Sequence, residues 1–180
     1  MSAQMLVGTG EASSSKLPGV GGLTLCVITF NEADRIGRCL DSVPFADEVL
    51  VVDSGSTDDT VVVAKEHGAR VIVRDWPGHV AQKQFAVDQA AHDRILSLDA
   101  DEWLSANLAD EMEPVAKGDW KGVTGYEFPR LSRFGGRWMR HGVWYPDRQL
   151  RLFDRRRAHW GGRDPHDLVE PDGGVHRLRG

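Results

Sequence analysis

The sequence has few cysteines and lacks any long apolar run. Its two cysteines, Cys26 and Cys39, lie in a strand-like run and a helix-like stretch, so we expect core thiols of a reduced compartment and no disulfide framework. No apolar run has the length of a membrane span. Residues 1–22, rich in Gly, Ser and Ala, lack the apolar centre of a signal peptide. We therefore expect a flexible tail over residues 1–22 and a cytoplasmic protein, with peripheral contact at the inner face of the plasma membrane left open.

The net charge of -5 is unevenly distributed along the 180 residues. Residues 1–120 carry 9 basic and 20 acidic side chains, whereas residues 121–180 carry 13 basic and 7 acidic ones. This asymmetry suggests an acidic, metal-binding first part and a later part that meets anions. Charge counts alone would favour two solvated surfaces. The acidic first part argues against a nucleic-acid partner.

From residue 23 to residue 130, apolar runs of strand length alternate with helical patterns. The patterns predict strands at 23–30, 47–53, 69–75, 94–100 and 122–130, and helices at 32–43, 56–68, 79–91 and 105–116. Such alternation predicts βαβ units and an α/β fold with a mostly parallel sheet. In these sheets, ligands bind beyond the carboxyl ends of the strands.

The segment "LSLDADEW", residues 96–103, places three carboxylates directly after an apolar run. Residues two apart on an extended chain point to the same side. Asp99 and Asp101 can therefore share one Mg²⁺ or Mn²⁺, hard ions that prefer oxygen ligands. The alternative is a turn whose acids favour the N-terminus of the following helix. Because these acids follow a buried strand in a chain of alternating strands and helices, we favour the metal site over the turn. Glu102 would then contact the metal ligands from outside or face solvent.

Polar residues also follow the first and second predicted strands. Asp53 precedes the tight turn "SGS" and can accept hydrogen bonds from a base or a ribose hydroxyl. Thr29, Asn31 and Glu32 follow the first strand and can line a nucleotide pocket. As an alternative, Asn31 or Asp58 could serve only to cap the helix that follows it.

Four segments, taken in order, resemble the successive motifs of glycosyltransferase family 2. They are "CVITFNEADRIGRCLDSV", "DEVLVVDSGSTDDTV", "DWPGHVAQKQFAVDQA" and "ILSLDADEW". The later "PRLSRFGGRWMRHGVWYPDRQLRLFDR" is similar to the branch that contains the bacterial lipopolysaccharide core β-1,4-glucosyltransferases. The resemblance covers residues 23–170. It implies a GT-A fold with a Rossmann-like, mostly parallel sheet flanked by helices, a nucleotide-sugar donor, Mg²⁺ or Mn²⁺, and inversion at the anomeric carbon.

The resemblance also implies one GT-A domain over residues 23–180. Its nucleotide-sugar half would be residues 23–120 and its acceptor-side half residues 121–180. Relatives commonly continue with more helices where this chain stops, so we expect a C-terminal truncation. The expected partners are a nucleotide sugar, UDP-glucose by preference, and a glycolipid or oligosaccharide acceptor.

Site residues follow from the resemblance by position in the chain. The nucleotide-sugar site would contain Thr29, Asn31, Glu32, Asp53, Lys83 and Asp99. Of these, Asp53 would hold the uracil, and Asp99 would face both the ribose and the metal. Asp101 would bind the metal. For Lys83, a place on an exposed helix face is an equal alternative.

The catalytic base is expected in the acceptor-side half, because an acceptor hydroxyl is a poor nucleophile unless a carboxylate takes its proton. The segment "GGRDPHDLVE" offers Asp164, His166 and Asp167, and Asp147 is a rival. Relatives in this branch tend to have His-Glu where this chain has His166-Asp167, and this departure puts the base in question. His166 could instead bind the metal or the diphosphate. Any of these four could also be an ordinary surface residue.

The chain from residue 130 to residue 157 holds nine arginines. Arg140, Trp144 and Arg148 are the predicted acceptor-binding residues. Arginine binds phosphate in a bidentate manner, and an indole can stack on the face of a sugar. The alternative is surface arginine with core tryptophan, which we favour for Trp138.

These features together predict an inverting, metal-assisted glycosyltransferase. It would move a sugar, expected to be glucose, to a hydroxyl of a lipopolysaccharide-core or other envelope glycan. One alternative is a catalytically inactive sugar-nucleotide-binding domain. Another is a nucleotidyltransferase, which usually needs a Gly-rich basic loop after the first strand, and "TFNEADR" is not one.

Overall fold

The computed structural model describes residues 21–135, 137–139 and 145–180. Its first half alternates strands and helices, as the sequence predicted. The elements are β1 (Leu23–Thr29), α1 (Ala33–Asp41), β2 (Glu48–Asp53), α2 (Thr60–Glu66), β3 (Arg70–Val73), α3 (His79–Gln89), β4 (Arg94–Asp99) and α4 (Ala106–Lys117). Ser105 caps α4, because its hydroxyl oxygen accepts a hydrogen bond from the backbone N–H of Leu108 at 3.2 Å. None of the helices in these ranges is long and apolar enough to cross a membrane.

The second half consists of strands, of which only the first was predicted. They are β5 (Val123–Arg130), β6 (Arg133–Phe134), β7 (Arg137–Trp138), β8 (Asp147–Asp154), β9 (Ala158–Arg163), β10 (His166–Pro171) and β11 (Gly174–Arg177). Arginines interrupt the apolar pattern of this region, and this is why the strands were missed. The predicted tail, residues 1–22, lies outside the described residues except for Gly21 and Gly22.

Strands from both halves form one seven-stranded sheet in the order β11-β5-β8-β4-β1-β2-β3. The pairs β1–β2, β1–β4, β2–β3 and β5–β11 are parallel, whereas β8 is antiparallel to both β4 and β5. The predicted α/β class with a mostly parallel sheet is therefore confirmed. The strands β9 and β10 form a separate antiparallel hairpin, the β9–β10 hairpin, that packs against α3.

Both faces of the sheet are covered, so successive residues of β1 enter two different cores. On one face, Leu25 and Val27 pack among residues of α1 and α4. On the other, Cys26 and Ile28 pack among residues of α3 and of the β9–β10 hairpin. Cys26 and Cys39 are both buried and free, as expected for core thiols.

The strand register brings three carboxyl ends to the same edge of the sheet. Thr29 at the end of β1 lies opposite Asp53 at the end of β2, and Ile28 lies opposite Asp99 at the end of β4. The polar residues that follow these strands are therefore neighbours in space, although up to seventy residues separate them in the chain.

We expect the substitution Leu152→Ala to destabilise the fold by about 2–5 kcal/mol, because Leu152 is fully buried in β8 between two partner strands. The matched control is Val62→Ala on α2, where the side chain is 55% exposed, and its effect should stay within about 0.5 kcal/mol. Urea unfolding measures both variants. If the free energy of unfolding fell equally in the two variants, the central position of β8 in the sheet would be contradicted.

Candidate functional site

Asp53 is buried at the end of β2, with 1% of its surface exposed. One carboxylate oxygen, Oδ2, accepts hydrogen bonds from the backbone N–H groups of Gly55 and Ser56, each at 2.9 Å. The other, Oδ1, accepts a hydrogen bond from the hydroxyl of Ser56. Gly55 has a φ of 87°, a left-handed conformation that glycine adopts without strain. The turn therefore fixes the Asp53 carboxylate at the edge of the sheet.

Asn31 joins the ends of β1 and β2. Its Oδ1 accepts a hydrogen bond from the backbone N–H of Thr57 at 2.8 Å, and its own N–H donates to the Ser56 hydroxyl at 2.8 Å. The helix α1 starts after Glu32 without a side-chain cap, so Asn31 does not act as the helix cap considered above. A cleft of about 520 Å³ lies at this junction, lined by residues 31–35 and 57–59.

Lys83, at the centre of the site, is buried, with only 2% of its surface exposed. Its Nζ lies 2.9 Å from Oδ1 of Asp99 and 2.8 Å from Oδ2 of Asp167. The alternative of an exposed position on a helix face is therefore wrong. One ammonium group thus connects Asp99, at the end of β4, to Asp167 in the β9–β10 hairpin.

A second buried cation, Arg151 on β8, lies on the other side of Asp99. Its Nη2 is 3.6 Å from Oδ2 of Asp99 and 3.6 Å from Oε1 of Glu102. The indole ring of Trp160 lies beneath both cations, with its centroid 4.7 Å from Nζ of Lys83 and 5.1 Å from Cζ of Arg151. Such contacts stabilise a cation that is removed from water.

These cations keep Asp99 ionised. Burial alone would raise the pKa of Asp99, but the positive charges of Lys83 and Arg151 outweigh it and hold the pKa below its ordinary value. The carboxylate of Asp99 is therefore negative at neutral pH, with cationic partners on two sides.

Asp101 has a different environment. It is exposed, and its negative charge acts on Glu32 at the end of β1. Burial raises the pKa of Glu32, the positive charge of Arg35 opposes this rise, and the charge of Asp101 adds to it. The two acids thus repel each other across the entrance to the site.

A divalent ion beside these acids would need further ligands, such as the oxygens of a phosphate. Among the described residues, no three His, Cys, Asp or Glu side chains form a metal-binding group by themselves. Mg²⁺ is usually bound by one or two carboxylates together with substrate phosphates. Asp101 offers such a carboxylate, and a cation there would relieve its repulsion with Glu32. The carboxylate of Asp99 is already paired with Lys83 and Arg151.

Asp147, the rival base, lies in a salt bridge. Its Oδ2 is 2.7 Å from Nη2 of Arg130, and its Oδ1 accepts a hydrogen bond from the side chain of Gln149 at 2.7 Å. Arg130 also lies 3.4 Å from Glu102. Each oxygen of Asp147 therefore already has a partner within the protein.

The remaining base candidates lie in the β9–β10 hairpin. Asp164 accepts a hydrogen bond from the backbone N–H of Val80 at 3.0 Å, at the first turn of α3. His166 is exposed. Asp167 is 11% exposed and binds Lys83 through Oδ2. Its Oδ1 makes no hydrogen bond to any described residue, so Asp167 keeps an oxygen that can accept a proton.

Of the predicted acceptor residues, Arg140 and Trp144 lie outside the described residues. Arg148 is exposed and donates a hydrogen bond to the Leu178 carbonyl at 3.4 Å. Trp138 is 42% exposed, so its assignment to the core is wrong. It contacts Trp103 edge-on at 6.2 Å between ring centroids.

Arg151 and Trp160 are the site residues that sequence reasoning missed. Both lie on strands that were not predicted. In retrospect, the signal was a single arginine inside the apolar run "LRLF" of residues 150–153, because a charged residue between buried neighbours in a strand needs a charged partner.

Comparison with solved structures gives the fold class. The fold is that of GT-A glycosyltransferases. The chain is similar to mannosyl-3-phosphoglycerate synthase from Rubrobacter xylanophilus, with a TM-score of 0.51 and 27% sequence identity over 60% of this chain and 39% of that one. It also shares its fold with mannosyltransferase PcManGT from Pyrobaculum calidifontis, solved with GDP-Man and Mn²⁺, with a TM-score of 0.51 and 24% identity over 64% of this chain and 37% of that one.

Comparison of sequences gives the family. Residues 24–177 match the model of glycosyl transferase family 2, and the chain belongs to this family. The predicted resemblance is thereby confirmed.

Two curated relatives place the chain within the family. An uncharacterized glycosyltransferase of Rickettsia felis is 56% identical over 90 residues, which are 49% of this chain and 32% of the relative. The lipopolysaccharide core biosynthesis glycosyltransferase LpsC of Rhizobium meliloti is 29% identical over 171 residues, which are 91% of this chain and 61% of the relative. The chain thus spans less than two thirds of either relative.

The hydrogen bonds of Asp53 allow a test of whether its carboxylate stabilises the turn after β2. We expect Asp53→Asn to destabilise the fold by about 1–3 kcal/mol, because an amide N–H₂ replaces one of the two oxygens that accept hydrogen bonds from Gly55 and Ser56. The control is Asp59→Asn, since Asp59 is exposed and makes no side-chain cap to α2. Thermal and urea unfolding compare the two. A loss no larger in Asp53→Asn than in the control would mean that the turn does not depend on this carboxylate.

Proposed function

We propose that this chain carries the donor site and the base of an inverting glycosyltransferase. The enzyme transfers a sugar, glucose by our expectation, from a nucleotide sugar to a hydroxyl of a lipopolysaccharide-core or other envelope glycan. The observation that carries the proposal is the meeting of Asp53, Asp99 and Asp101 at one edge of the sheet with Asp167 from the second half. Membership of family 2 and the likeness to LpsC support it.

The donor nucleotide lies along the carboxyl ends of β1 and β2. Asp53 has one lone pair left on Oδ1 after its bonds to the turn, and it accepts a hydrogen bond from the base. The hydroxyl of Thr29 is buried next to it and has no hydrogen-bond partner among the described residues. A buried polar group of this kind is costly unless a ligand satisfies it. Asn31 and Glu32 border the cleft where the rest of the nucleotide lies.

The diphosphate leaves from the end of β4. Asp101 is the residue that would hold Mg²⁺ or Mn²⁺, and such an ion, when bound, supplies Lewis acidity and positive charge for the leaving group. Asp99 orients the ribose at this position, and Lys83 and Arg151 keep it ionised.

Asp167 takes the proton of the acceptor hydroxyl. It is 11% exposed and linked to Asp99 through Lys83, and its Oδ1 makes no hydrogen bond within the described part of the chain. Asp147 is less suited to this role because Arg130 and Gln149 occupy both its oxygens. The hydroxyl attacks from the side opposite the diphosphate, and direct displacement of an α-linked sugar then gives a β-glycoside.

The acceptor approaches from the arginine-rich second half. Arg140, Trp144 and Arg148 remain our proposed contacts, with guanidinium groups for phosphate and an indole for the sugar face. A glycolipid acceptor would bring the enzyme to the inner face of the plasma membrane.

The substitution Asp101→Ala should abolish metal-dependent nucleotide binding, because it removes the carboxylate that would hold the ion together with the phosphates of the nucleotide. Calorimetry with UDP, GDP and ADP, each with and without Mn²⁺, measures this. The control is Asp110→Ala, an exposed acid on α4. A dissociation constant that is unchanged in Asp101→Ala counts against the metal site. In a separate assay of the unaltered chain, release of pyrophosphate from a nucleoside triphosphate and a sugar phosphate would instead indicate a nucleotidyltransferase.

The substitution Asp167→Asn should lower turnover by about 10²–10⁴-fold, the usual contribution of a general base, with little change in UDP affinity. Turnover is followed as UDP formed from UDP-glucose with Mn²⁺. Asp172→Asn is the control, because this acid is exposed and pairs only with Arg157 among the described residues. A larger loss of turnover in Asp147→Asn than in Asp167→Asn would transfer the role of base to Asp147.

A further inference from the structure

We propose that Lys83 is a positioning residue that fixes the carboxylate of Asp167 beside the donor, and that it does not contact the donor itself. This inference rests on the proposed function, in which Asp167 is the base. It differs from the expectation drawn from the family resemblance, which gave Lys83 a direct role in binding the nucleotide sugar.

The contacts of Lys83 argue against a direct role. The side chain is 2% exposed, and Nζ lies 2.8 Å from Asp167 and 2.9 and 3.1 Å from the two oxygens of Asp99. The ring of Trp160 lies 4.7 Å from the same atom. An ammonium has three N–H donors, and two carboxylates with an indole enclose them. To reach a donor, the buried Lys83 would have to leave Asp167, which is only 11% exposed, without its cation, and this is costly.

The two acids depend on Lys83 to different degrees. Asp99 has a second cation, because Arg151 lies 3.6 Å away. For Asp167, Lys83 is the only cationic partner within the described ranges. Loss of the ammonium should therefore release the side chain of Asp167 and leave Asp99 held by Arg151.

The β9–β10 hairpin has other attachments to α3. Asp164 accepts a hydrogen bond from the backbone N–H of Val80 at 3.0 Å. The side chain of Gln84 accepts a hydrogen bond from the backbone N–H of Trp160 at 2.8 Å. These two contacts lie one turn before and directly after Lys83 on α3, so they set the place of the hairpin. Lys83 then sets the orientation of one side chain on it.

The test compares Lys83→Met, Asp167→Asn and the double variant with the unaltered chain. UDP affinity is measured by calorimetry with Mn²⁺, and turnover is measured as UDP formed from UDP-glucose with Mn²⁺. Lys65→Met, an exposed lysine at the end of α2, is the matched control. Lys83→Gln serves as a second variant in case the methionine variant does not fold.

We expect Lys83→Met to lower turnover by about a hundredfold, within the range for loss of a general base. UDP affinity should change less than about threefold, because Lys83 does not contact the donor in this proposal. When Asp167→Asn is already present, Lys83→Met should lower turnover almost no further. The effects of two substitutions are not additive when one residue acts through the other. Lys65→Met should behave as the unaltered chain.

Several results would overturn the proposal. A tenfold or larger loss of UDP affinity with turnover retained would make Lys83 a donor contact. Multiplied losses in the double variant would mean that Lys83 does not act through Asp167. Faster hydrogen exchange across β10 in Lys83→Met would show a structural role in docking the hairpin. If the unaltered chain binds neither UDP nor UDP-glucose, the proposed function fails first, whereas normal binding with unaltered turnover in Lys83→Met refutes the role of Lys83 alone.

Discussion

The site depends on a buried ammonium that two carboxylates share. Burial of the Lys83 ammonium is costly unless negative partners balance its charge. In return, the positive charges of Lys83 and Arg151 hold the pKa of Asp99 below its ordinary value. Breaking such a buried pair by removal of one partner typically costs about 3–5 kcal/mol. The interaction therefore constrains which residues α3, β4 and β10 can carry, and it ties the two halves of the chain together at the site.

This pair belongs to a longer row of alternating charges. From one end to the other, the row contains Asp167, Lys83, Asp99, Arg151, Glu102, Arg130 and Asp147. Two of the four candidate bases, Asp167 and Asp147, stand at its ends, and Asp99, at the end of β4, stands nearer its centre. The row gives its carboxylates fixed positions. Among the described residues, Asp101 has no cationic partner, and Oδ1 of Asp167 makes no hydrogen bond. A glycosyl transfer requires such free groups at two points, one beside the leaving diphosphate and one beside the incoming hydroxyl.

The antiparallel strand β8 makes this row possible. It lies between β4 and β5 and runs against β4, so the residue before Leu152 lies toward the carboxyl end of β4, beside Asp99. A parallel strand at this position would lead the chain in the opposite direction and carry its basic residues away from the acids. The sheet thus combines a parallel half, which collects the donor-facing acids, with an antiparallel strand that supplies the cation.

The sequence by itself determined the α/β alternation, the gathering of Thr29, Asp53 and Asp99 at one edge, and the family, because these follow from local periodicity and from motifs within short segments. Only the tertiary structure decided that Lys83 is buried, that Trp138 is exposed, and that Asp167 stands beside Asp99 while Asp147 lies in a salt bridge. These facts depend on contacts between residues that are 16 to 84 positions apart in the chain. They also depend on strands in which arginines interrupt the alternation of apolar and polar residues. A lysine on a helix has the same local pattern whether it faces solvent or two carboxylates, and the difference is fixed by the hairpin that closes over it.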